Sequence, residues 1–444
     1  MKNILVIGAG LSSSYLIKYL LDHSSAENWH ITVADADILQ AQQKINNHPC
    51  ATAFPININD SFERSECVSK HDLIISMLPA TMHILVAADC ITHKKNLITA
   101  SYISSEMQHL HAAAIKAGVL FLNECGLDPG IDHLSAMKMI HEIQNKGGVI
   151  TSFKSFCGGL VAPEFDDNPW NYKFTWNPRN VVLAGQAAAK YLENGELKFI
   201  PQSRIFTQTE QLSVDGYGDF ESYANRDSLT YIKPYTIESA HTVLRGTLRR
   251  KGYSKNWNNL IKLGLTDDSF TIHDADKISY REFVSAFTPG KGMDELEQRV
   301  CDFLELKKNS EEFLKLQWLG LFTDEKIKVR EATPAQILQM ILQQKWKLNK
   351  GELDMIVMQH EINYELGSKN SEVKSALVVK GENEVLTAMA KTVGLPMAIA
   401  AKLILNDKIK ARGVVIPVAK EFYEPILNEL ETFGVTFIEK KDQL

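Results

Sequence analysis

Two glycines and an aspartate near the amino end have the types and spacing of a dinucleotide-binding turn. A short apolar segment, Ile4–Ile7, leads into Gly8 and Gly10, and a second apolar segment ends at Asp35. Glycines let the backbone approach a pyrophosphate at the amino end of a helix, and the acid can accept hydrogen bonds from ribose hydroxyls. We therefore expect a nicotinamide dinucleotide to bind here.

The glycine pattern is incomplete, because Ser13 stands at the third glycine position of the motif. Serine is small enough for the close packing of helix on strand at that position. An ordinary glycine turn that binds nothing is the alternative interpretation. The motif lies at the start of the chain and an acid closes the second strand, and both features favour the dinucleotide.

Asp35 also bears on which dinucleotide binds. A carboxylate at this position would repel the extra phosphate of NADP, so we expect NAD to be preferred, with NADP possible. The alternative is that Asp35 only caps the following helix, in competition with Asp37.

Further along the chain, several compact groups carry acids, a thiol and guanidinium groups that could act on a substrate. They are Ala100-Ser101-Tyr102, Leu127-Asp128-Pro129, Phe156-Cys157-Gly158-Gly159, Tyr172 to Trp176, Asn225-Arg226-Asp227-Ser228 and Arg245 to Arg250. Each group also has an ordinary structural interpretation. Asp128 could be a turn residue and Cys157 a core thiol, and the arginines could form a solvated surface.

The elements that must position these groups follow from hydrophobic periodicity. Short apolar strands alternate with helical patterns from residue 1 to about 125, which predicts a parallel sheet covered by helices on both faces. Residues 150–245 mix strand-like segments with polar loops, residues 255–345 are mainly helical in pattern, and a helical pattern near the end should kink or break at Pro396.

The bulk composition excludes several classes of function. The 444 residues are 45% hydrophobic and 23% charged, with a formal net charge of −6. This balance argues against nucleic-acid and membrane-surface binding, and we expect a cytoplasmic protein. The six cysteines include no CxxC pair and the thirteen histidines no HExxH motif, so we expect reduced thiols and no metal site.

Taken together, the quoted groups resemble the glutamate-forming saccharopine dehydrogenases, also called saccharopine reductases. Gly-Leu-Asp-Pro-Gly-Ile-Asp-His at 126–133 and Cys-Gly-Gly-Leu-x-Ala-Pro-Glu at 157–164 are the most specific segments, and the resemblance reaches Thr387–Ala390. It implies an α/β protein whose doubly wound Rossmann domain, residues 1–124 plus 395–444, is completed by C-terminal helices. Residues 125–394 would form an inserted α+β saccharopine-binding and dimerisation domain, with a helical subdomain at about 255–345, in a homodimer.

The resemblance also implies a reaction in lysine metabolism. Saccharopine, NAD(P)+ and water would give L-glutamate and 2-aminoadipate 6-semialdehyde, or the reverse. The implied catalytic residues are Asp128, Cys157 and Tyr102, with Asp128 as first choice for acid/base work. Proton transfer through water, with these groups only positioning the substrate, is the alternative.

Matching positions imply two further sets of residues. The substrate-binding set is Ser101, Tyr102, Leu127, Asp128, Thr175, Arg226, Thr247, Leu248 and Arg249, in which the arginines would hold the carboxylates of saccharopine. The cofactor-binding set is Gly8, Gly10, Leu11, Ser12, Asp35, Asn57, Ile58, Leu78, Ala100 and Ser101. Asn57 stands where relatives commonly carry aspartate, which makes its contact with adenosine less certain.

Two other functions compete with this interpretation. A carboxyspermidine-type dehydrogenase of related fold would offer acids to ammonium groups, whereas the cluster from Arg245 to Arg250 suits a polyanion. A catalytically inactive NAD-binding regulator is the second alternative, against which the presence of Asp128, Cys157 and Tyr102 argues.

Overall fold

Strands and helices alternate through the amino-terminal part of the computed structural model, which describes residues 1–443. The elements are β1 Lys2–Ile7, α1 Ser14–Glu27, β2 Trp29–Asp35, α2 Ile38–Ile45, β3 Ala51–Pro55, α3 Ser61–Ser69, β4 Leu73–Ser76, α4 His83–His93, β5 Asn96–Thr99, α5 Ser105–His109, α6 His111–Ala117, β6 Leu120–Leu122 and α7 Ile131–Asn145. The alternation agrees with the pattern predicted from the sequence.

The middle of the chain mixes strands and helices. Its elements are β7 Val149–Val161, α8 Pro178–Val182, β8 Ala189–Glu193, β9 Glu196–Ile200, β10 Thr209–Val214, β11 Gly218–Ala224, β12 Thr242–Arg250, α9 Tyr253–Lys262, β13 Ile272–His273, α10 Tyr280–Phe287, α11 Leu296–Leu304, α12 Glu311–Trp318, β14 Glu331–Ala332, α13 Pro334–Lys345 and β15 Asp354–Leu366. Helices α9 to α13 account for the predicted helical region at about 255–345.

The last part of the chain consists of β16 Lys369–Lys380, α14 Ala388–Leu405, β17 Gly413–Val415, α15 Lys420–Thr432 and β18 Phe437–Gln443. Of the predicted kink or break at Pro396, the break is wrong, because α14 continues through this proline, and the kink stays a prediction. An interior proline costs a helix about 3 kcal/mol. The burial of α14, whose residues from Leu395 to Ala401 are all buried, offsets that loss.

The chain divides into two compact units. Unit 1 comprises Met1–Ile150, Lys233–Ile237 and Ile362–Leu444, and unit 2 comprises Thr151–Ile232 and Glu238–Glu361. These boundaries differ from the predicted ones at 124/125 and 394/395. The reason is packing within unit 1, where α7 contacts α15 and β16 pairs with β18, so 125–150 and 362–394 join the terminal segments.

Unit 1 contains a seven-stranded sheet with the order β17-β6-β5-β4-β1-β2-β3. All of its strand pairs are parallel. This order is that of a Rossmann fold, with one strand added from the carboxyl-terminal part. The central strands are buried because helices cover both faces, which explains their continuous apolar runs. The prediction of a doubly wound sheet completed by C-terminal elements is confirmed.

Helix α14 packs tightly against α1, the helix that follows the glycine turn. A Cβ atom added at Gly394 of α14 would lie 2.6 Å from the backbone nitrogen of Leu16, so the two helices approach as closely as a glycine allows. By length and composition α14 could cross a membrane, with a mean hydropathy of 1.5, but 72% of it is buried within the protein. A buried core helix has the same composition, and the cytoplasmic location stays a prediction.

Unit 2 is built on a mixed sheet in which β12 is central. Strand β12 pairs in parallel with β7 and antiparallel with β11, and β11 pairs antiparallel with β10. Aromatic and aliphatic side chains of α9 to α13, together with Trp170, Tyr172 and Phe174, contribute to a buried cluster of this unit. The predicted α+β character of the middle region is confirmed.

Candidate functional site

The glycine turn after β1 has the space that a pyrophosphate needs. Gly8 has a φ of +105°, and an added Cβ atom would lie 3.0 Å from the carbonyl oxygen of Met77, so the fold itself requires glycine there. Gly10 has an ordinary φ of −67°, and its Cβ atom would meet nothing within 4 Å. The fold therefore gives no reason for glycine at position 10. The open space fits the close approach of a dinucleotide, as the motif predicts.

Ser13 stabilises the same turn. Its hydroxyl donates to the carbonyl oxygen of Gly10 at 2.8 Å, and the side chain is buried. The serine that replaces the third glycine thus fits at this position and adds a hydrogen bond.

Asp35 lies at the end of β2 and holds the glycine turn. One carboxylate oxygen accepts the backbone N–H of Ala9 at 2.6 Å, and the other accepts the N–H of Asp37 at 2.9 Å. Asp37, not Asp35, caps α2, because its carboxylate accepts the N–H of Leu39. Each Asp35 oxygen retains a second lone pair, which could accept a ribose hydroxyl.

The other predicted cofactor residues lie at the carboxyl ends of the parallel strands, the edge where such sheets bind ligands. Leu11 and Ser12 follow the glycine turn, Asn57 and Ile58 follow β3, Leu78 follows β4, and Ala100 and Ser101 follow β5. Ile58 is buried in the core of unit 1, whereas Asn57 is exposed. The structure therefore places the whole predicted set within unit 1, along one edge of one sheet.

His83, which the sequence analysis did not select, links the ends of β4 and β5. Its Nδ1 atom lies 2.8 Å from the hydroxyl of Ser76, and its Nε2 atom lies 2.8 Å from that of Ser101 and 3.0 Å from that of Thr99. Burial lowers the pKa of His83 to about 4. The imidazole is therefore neutral at physiological pH and fixes the hydroxyl of Ser101, a predicted cofactor and substrate contact.

His83 should make the protein sensitive to acid. The unfolded chain binds a proton at this imidazole near pH 6.5, but the folded chain does not until about pH 4. Stability should therefore fall as the pH drops through this window, by up to about 3 kcal/mol. We expect His83→Gln to remove this part of the acid dependence, in urea unfolding measured from about pH 7.5 to about pH 4. Parallel curves for the variant and the wild type would contradict the assignment.

Two of the three predicted catalytic residues meet in unit 1. The hydroxyl of Tyr102 donates to a carboxylate oxygen of Asp128 at 3.1 Å. Both side chains are partly exposed, while neighbouring Leu127 is buried. A phenol and a carboxylate in contact at the carboxyl edge of the sheet can accept and deliver protons, provided that a substrate reaches them.

The third predicted catalytic residue, Cys157, lies on β7 in unit 2. Thr247 of β12 is its partner in the parallel register, so the two side chains are neighbours on one face of the sheet. Arg249, two residues further along β12, shares that face, and Leu248 points to the other. The side chain of Leu248 is fully buried on the opposite face of the sheet. Leu248 could therefore contact a substrate beside Thr247 and Arg249 only through its backbone.

Arg249 is a buried cation within a group of tyrosines. Its guanidinium carbon lies 5.1 Å from the ring centre of Tyr172, 5.3 Å from that of Tyr253 and 5.9 Å from that of Tyr223. Only 3% of the residue is exposed. Burial raises the pKa of the Tyr172 and Tyr253 hydroxyls, so both are neutral at physiological pH and neither supplies a counter-charge.

Within the described part of the chain, Arg249 forms no ion pair. Its cross-strand neighbour Glu221 instead accepts the backbone N–H groups of Gly252 and Ser254 at the start of α9. The Nε atom of Arg249 has no hydrogen-bond partner among residues 1–443, and neither does the hydroxyl of Thr175. Buried polar groups are normally paired, so this arrangement fits a bound carboxylate.

Arg226, the second predicted carboxylate ligand, follows β11. Its side chain is exposed, its φ is +54°, and its backbone carbonyl accepts the N–H of Lys190. The predicted substrate ligands Thr175, Arg226, Thr247, Leu248 and Arg249 thus lie in unit 2, and Ser101, Tyr102, Leu127 and Asp128 lie in unit 1.

Residues 1–443 contain no group of three or more potential metal ligands, and the absence of a metal stays a prediction. Five of the six cysteines are buried, and none of the six forms a disulfide. Sequence reasoning missed His83, Glu124 and two of the tyrosines around Arg249, Tyr223 and Tyr253. The available signal for Glu124 was its position two residues after the end of β6, at the ligand-binding edge of the sheet.

Two family models match nearly the whole chain. The model described as "Saccharopine dehydrogenase NADP binding domain" matches residues 4–122, and "Saccharopine dehydrogenase C-terminal domain" matches residues 126–435. The first match assigns the binding of an NAD(P) dinucleotide to the region that contains the glycine turn.

Individual relatives agree with the family models. Saccharopine dehydrogenase (NADP(+), L-glutamate-forming) of Schizosaccharomyces pombe is 33% identical over 450 residues, which are 99% of each chain. The bovine mitochondrial alpha-aminoadipic semialdehyde synthase is 38% identical over 448 residues, 98% of this chain but 47% of the relative. The chain therefore spans about half the length of that relative. The apo structure of saccharopine dehydrogenase (L-Glu forming) from Saccharomyces cerevisiae superposes with a TM-score of 0.89 at 32% identity, covering 100% of both chains.

Proposed function

The chain belongs to the saccharopine dehydrogenase family, and we propose that it catalyses the L-glutamate-forming reaction of that family. It would oxidise saccharopine with NAD(P)+ and water to L-glutamate and 2-aminoadipate 6-semialdehyde, or run the reverse reaction, in lysine metabolism. The fungal relative that matches over its full length carries the name of this activity.

The observation that carries the proposal is the buried guanidinium of Arg249, which has no ion pair within the described part of the chain, donates one N–H to the carbonyl oxygen of Leu248 and leaves Nε without a partner. A buried cation without a counter-ion is costly, and a substrate carboxylate would remove that cost. Saccharopine has three carboxylates, and the planar fork of arginine can hold one through two hydrogen bonds. A carboxyspermidine-type substrate needs acidic side chains for its ammonium groups, so a buried arginine fits it less well.

The remaining residues have roles that fit the chemistry. A bound, oxidised nicotinamide would supply the hydride acceptor for the carbon next to the secondary amine nitrogen of the substrate. Asp128 would first take the proton from that nitrogen and later return one to the departing glutamate amine, with Tyr102 and Cys157 as polar partners. Water adds to the resulting imine, and loss of the amine gives the aldehyde. Proton transfer through water, with these side chains only positioning the substrate, stays the alternative.

The direct test is NADH or NADPH formation with purified protein and saccharopine as the sole substrate. Turnover with saccharopine, and none with carboxyspermidine, would support the proposal. Turnover with carboxyspermidine alone would favour the alternative enzyme. Cofactor binding without turnover of either substrate would favour an inactive regulator. The mass of the protein in solution, measured by light scattering, tests the proposed homodimer.

We propose that NAD is preferred over NADP. Asp35 and Asp37 lie at the end of β2, and no lysine or arginine occurs between Asp35 and Lys44. The Nζ atom of Lys44 already donates to the hydroxyl of Ser14. The fungal relatives are named for NADP(+), which argues in the opposite direction.

The ratio of kcat/KM for NAD to that for NADP decides the cofactor preference. We expect a ratio above one in the wild type and a shift of about fivefold towards NADP in Asp35→Asn, because removing one repulsive charge contributes about 1 kcal/mol. Asparagine keeps an oxygen that can accept the N–H of Ala9. A wild-type preference for NADP would refute the proposal.

Replacing Arg226 by alanine should raise the KM for saccharopine more than tenfold. A hydrogen bond to a charged group contributes roughly 1.5 to 3 kcal/mol, and the variant loses the charged donor. Arg204→Ala is the matched control, because Arg204 is another exposed arginine of unit 2 that the resemblance does not place in the site. An unchanged KM in Arg226→Ala would remove this residue from the site.

A further inference from the structure

Three buried polar side chains in unit 1 form a continuous hydrogen-bonded series. The Nδ1 atom of His133 lies 2.7 Å from the hydroxyl of Tyr235, and its Nε2 atom lies 2.8 Å from a carboxylate oxygen of Glu124. His133 is 0% exposed, and both partners are also buried. The proposed reaction assigns no role to any of these three residues.

The series is attached to both segments that carry the predicted acid/base pair. The second carboxylate oxygen of Glu124 accepts the backbone N–H of Ile103 at 3.0 Å, and the N–H of Glu124 donates to the carbonyl oxygen of Ser101 at 3.1 Å. Tyr102 lies between these two attachment points. Glu124 therefore holds the backbone on either side of the tyrosine.

The same residues hold the ends of the loop that carries Asp128. Glu124 directly precedes this loop, residues 125–130, and His133 lies just beyond it in the first turn of α7. The bond between Glu124 and His133 therefore joins the two ends of the loop. The carboxylate of Asp128, in this loop, accepts the Tyr102 hydroxyl at 3.1 Å. One buried series therefore fixes both members of the Tyr102–Asp128 pair.

The burial of these three polar side chains lowers the stability of the fold, and a role in fixing local geometry would explain why they are there. Burying a histidine, a carboxylate and a phenol costs more than burying apolar residues of the same size, even when all are hydrogen-bonded. Glu124 also adopts a left-handed φ of +54°, which is uncommon for a residue other than glycine. Fully bonded buried networks specify a unique local structure, which an acid/base pair requires.

We propose that Glu124, His133 and Tyr235 are positioning residues that keep Tyr102 and Asp128 at bonding distance for proton transfer with the substrate. The inference deepens the proposed function and rests on it for its kinetic test. In this role none of the three would touch the substrate or the cofactor.

The test uses two nearly isosteric variants, Tyr235→Phe and Glu124→Gln, in the full chain. We expect Tyr235→Phe to lower kcat about tenfold and Glu124→Gln to lower it more, because each weakens a buried network. The KM for the dinucleotide should stay within about twofold, since the glycine turn is untouched. Tyr423→Phe is the matched control, because Tyr423 also hydrogen-bonds a histidine of α7, His141, outside the Asp128 loop.

Crystal structures of the two variants provide a readout that does not depend on the substrate. We expect the Tyr102–Asp128 contact to be broken or lengthened in them and retained in Tyr423→Phe. A kcat within twofold of the wild type with the contact intact would overturn the inference, even if thermal stability fell. If the wild type does not oxidise saccharopine, a broken contact would still support the positioning role and only the proposed function would fail.

Discussion

Replacement of Asp128 by alanine is expected to lower kcat for saccharopine oxidation by about 100-fold or more. A positioned acid/base group contributes typically 10² to 10⁴ in rate, and Asp128 is the carboxylate that both the resemblance and the contact with Tyr102 select. The change should leave the KM for the dinucleotide nearly unaffected, because the glycine turn and Asp35 belong to other segments, at the ends of β1 and β2. Initial rates of NADH or NADPH formation at saturating substrate provide the measurement.

Tyr102→Phe is the companion variant for Asp128→Ala. It removes one hydrogen bond to the carboxylate but keeps the carboxylate itself, so we expect a loss of kcat of about tenfold. A kcat for Asp128→Ala that stays within tenfold of the wild type would favour proton transfer through water. In that case Asp128 and Tyr102 would only orient the substrate.

Replacement of Arg249 by leucine should raise the KM for saccharopine about 100-fold without destabilising the protein. The substrate would lose a charged hydrogen bond of roughly 1.5 to 3 kcal/mol and face an apolar side chain instead. Removing a buried cation that has no counter-ion among the described residues should leave the melting temperature unchanged or raise it, because an apolar residue of similar size has no desolvation cost. Steady-state kinetics and thermal unfolding of the same preparation test both expectations.

Arg250 supplies the matched control for Arg249. It follows Arg249 on β12 and points to the other face of the strand, where it contacts Phe220 and donates to the carbonyl oxygen of Tyr217. Arg250→Leu should leave the KM for saccharopine unchanged. A lower melting temperature with an unchanged KM in Arg249→Leu would show that Arg249 is a structural residue and would remove the main support for the proposed function.

The Rossmann sheet could be predicted because its determinants are local. Each strand is a short apolar run followed by turn residues, and Gly8, Gly10 and Asp35 stand at fixed places relative to the first two strands. Such signals survive in a single sequence. The NAD(P)-binding region and the meeting of Tyr102 with Asp128 were anticipated in this way, the second through family resemblance.

The remaining features depend on contacts between distant segments, which a single sequence does not display. Pro396 suggested a helix break because local propensity ignores the burial of α14. The sequence could not distinguish Arg249, whose Nε atom has no hydrogen-bond partner among the described residues, from Arg250, which donates to Tyr217. The distinction depends on the two faces of β12. His83, at the start of α4, contacts the hydroxyls of Ser76 at the end of β4 and Ser101 after β5. Its adjacent residues in the sequence therefore give no indication of its role.

The position of β17 and α14 has a consequence for the order of events during synthesis. The first six strands leave the ribosome long before Gly413–Val415, so the outer edge of β6 has no partner while the middle of the chain is translated. The face of α1 that receives Gly394 also stays uncovered until then. A nascent chain halted near residue 380 should therefore expose apolar surface and an open strand edge, which are the features that chaperones recognise.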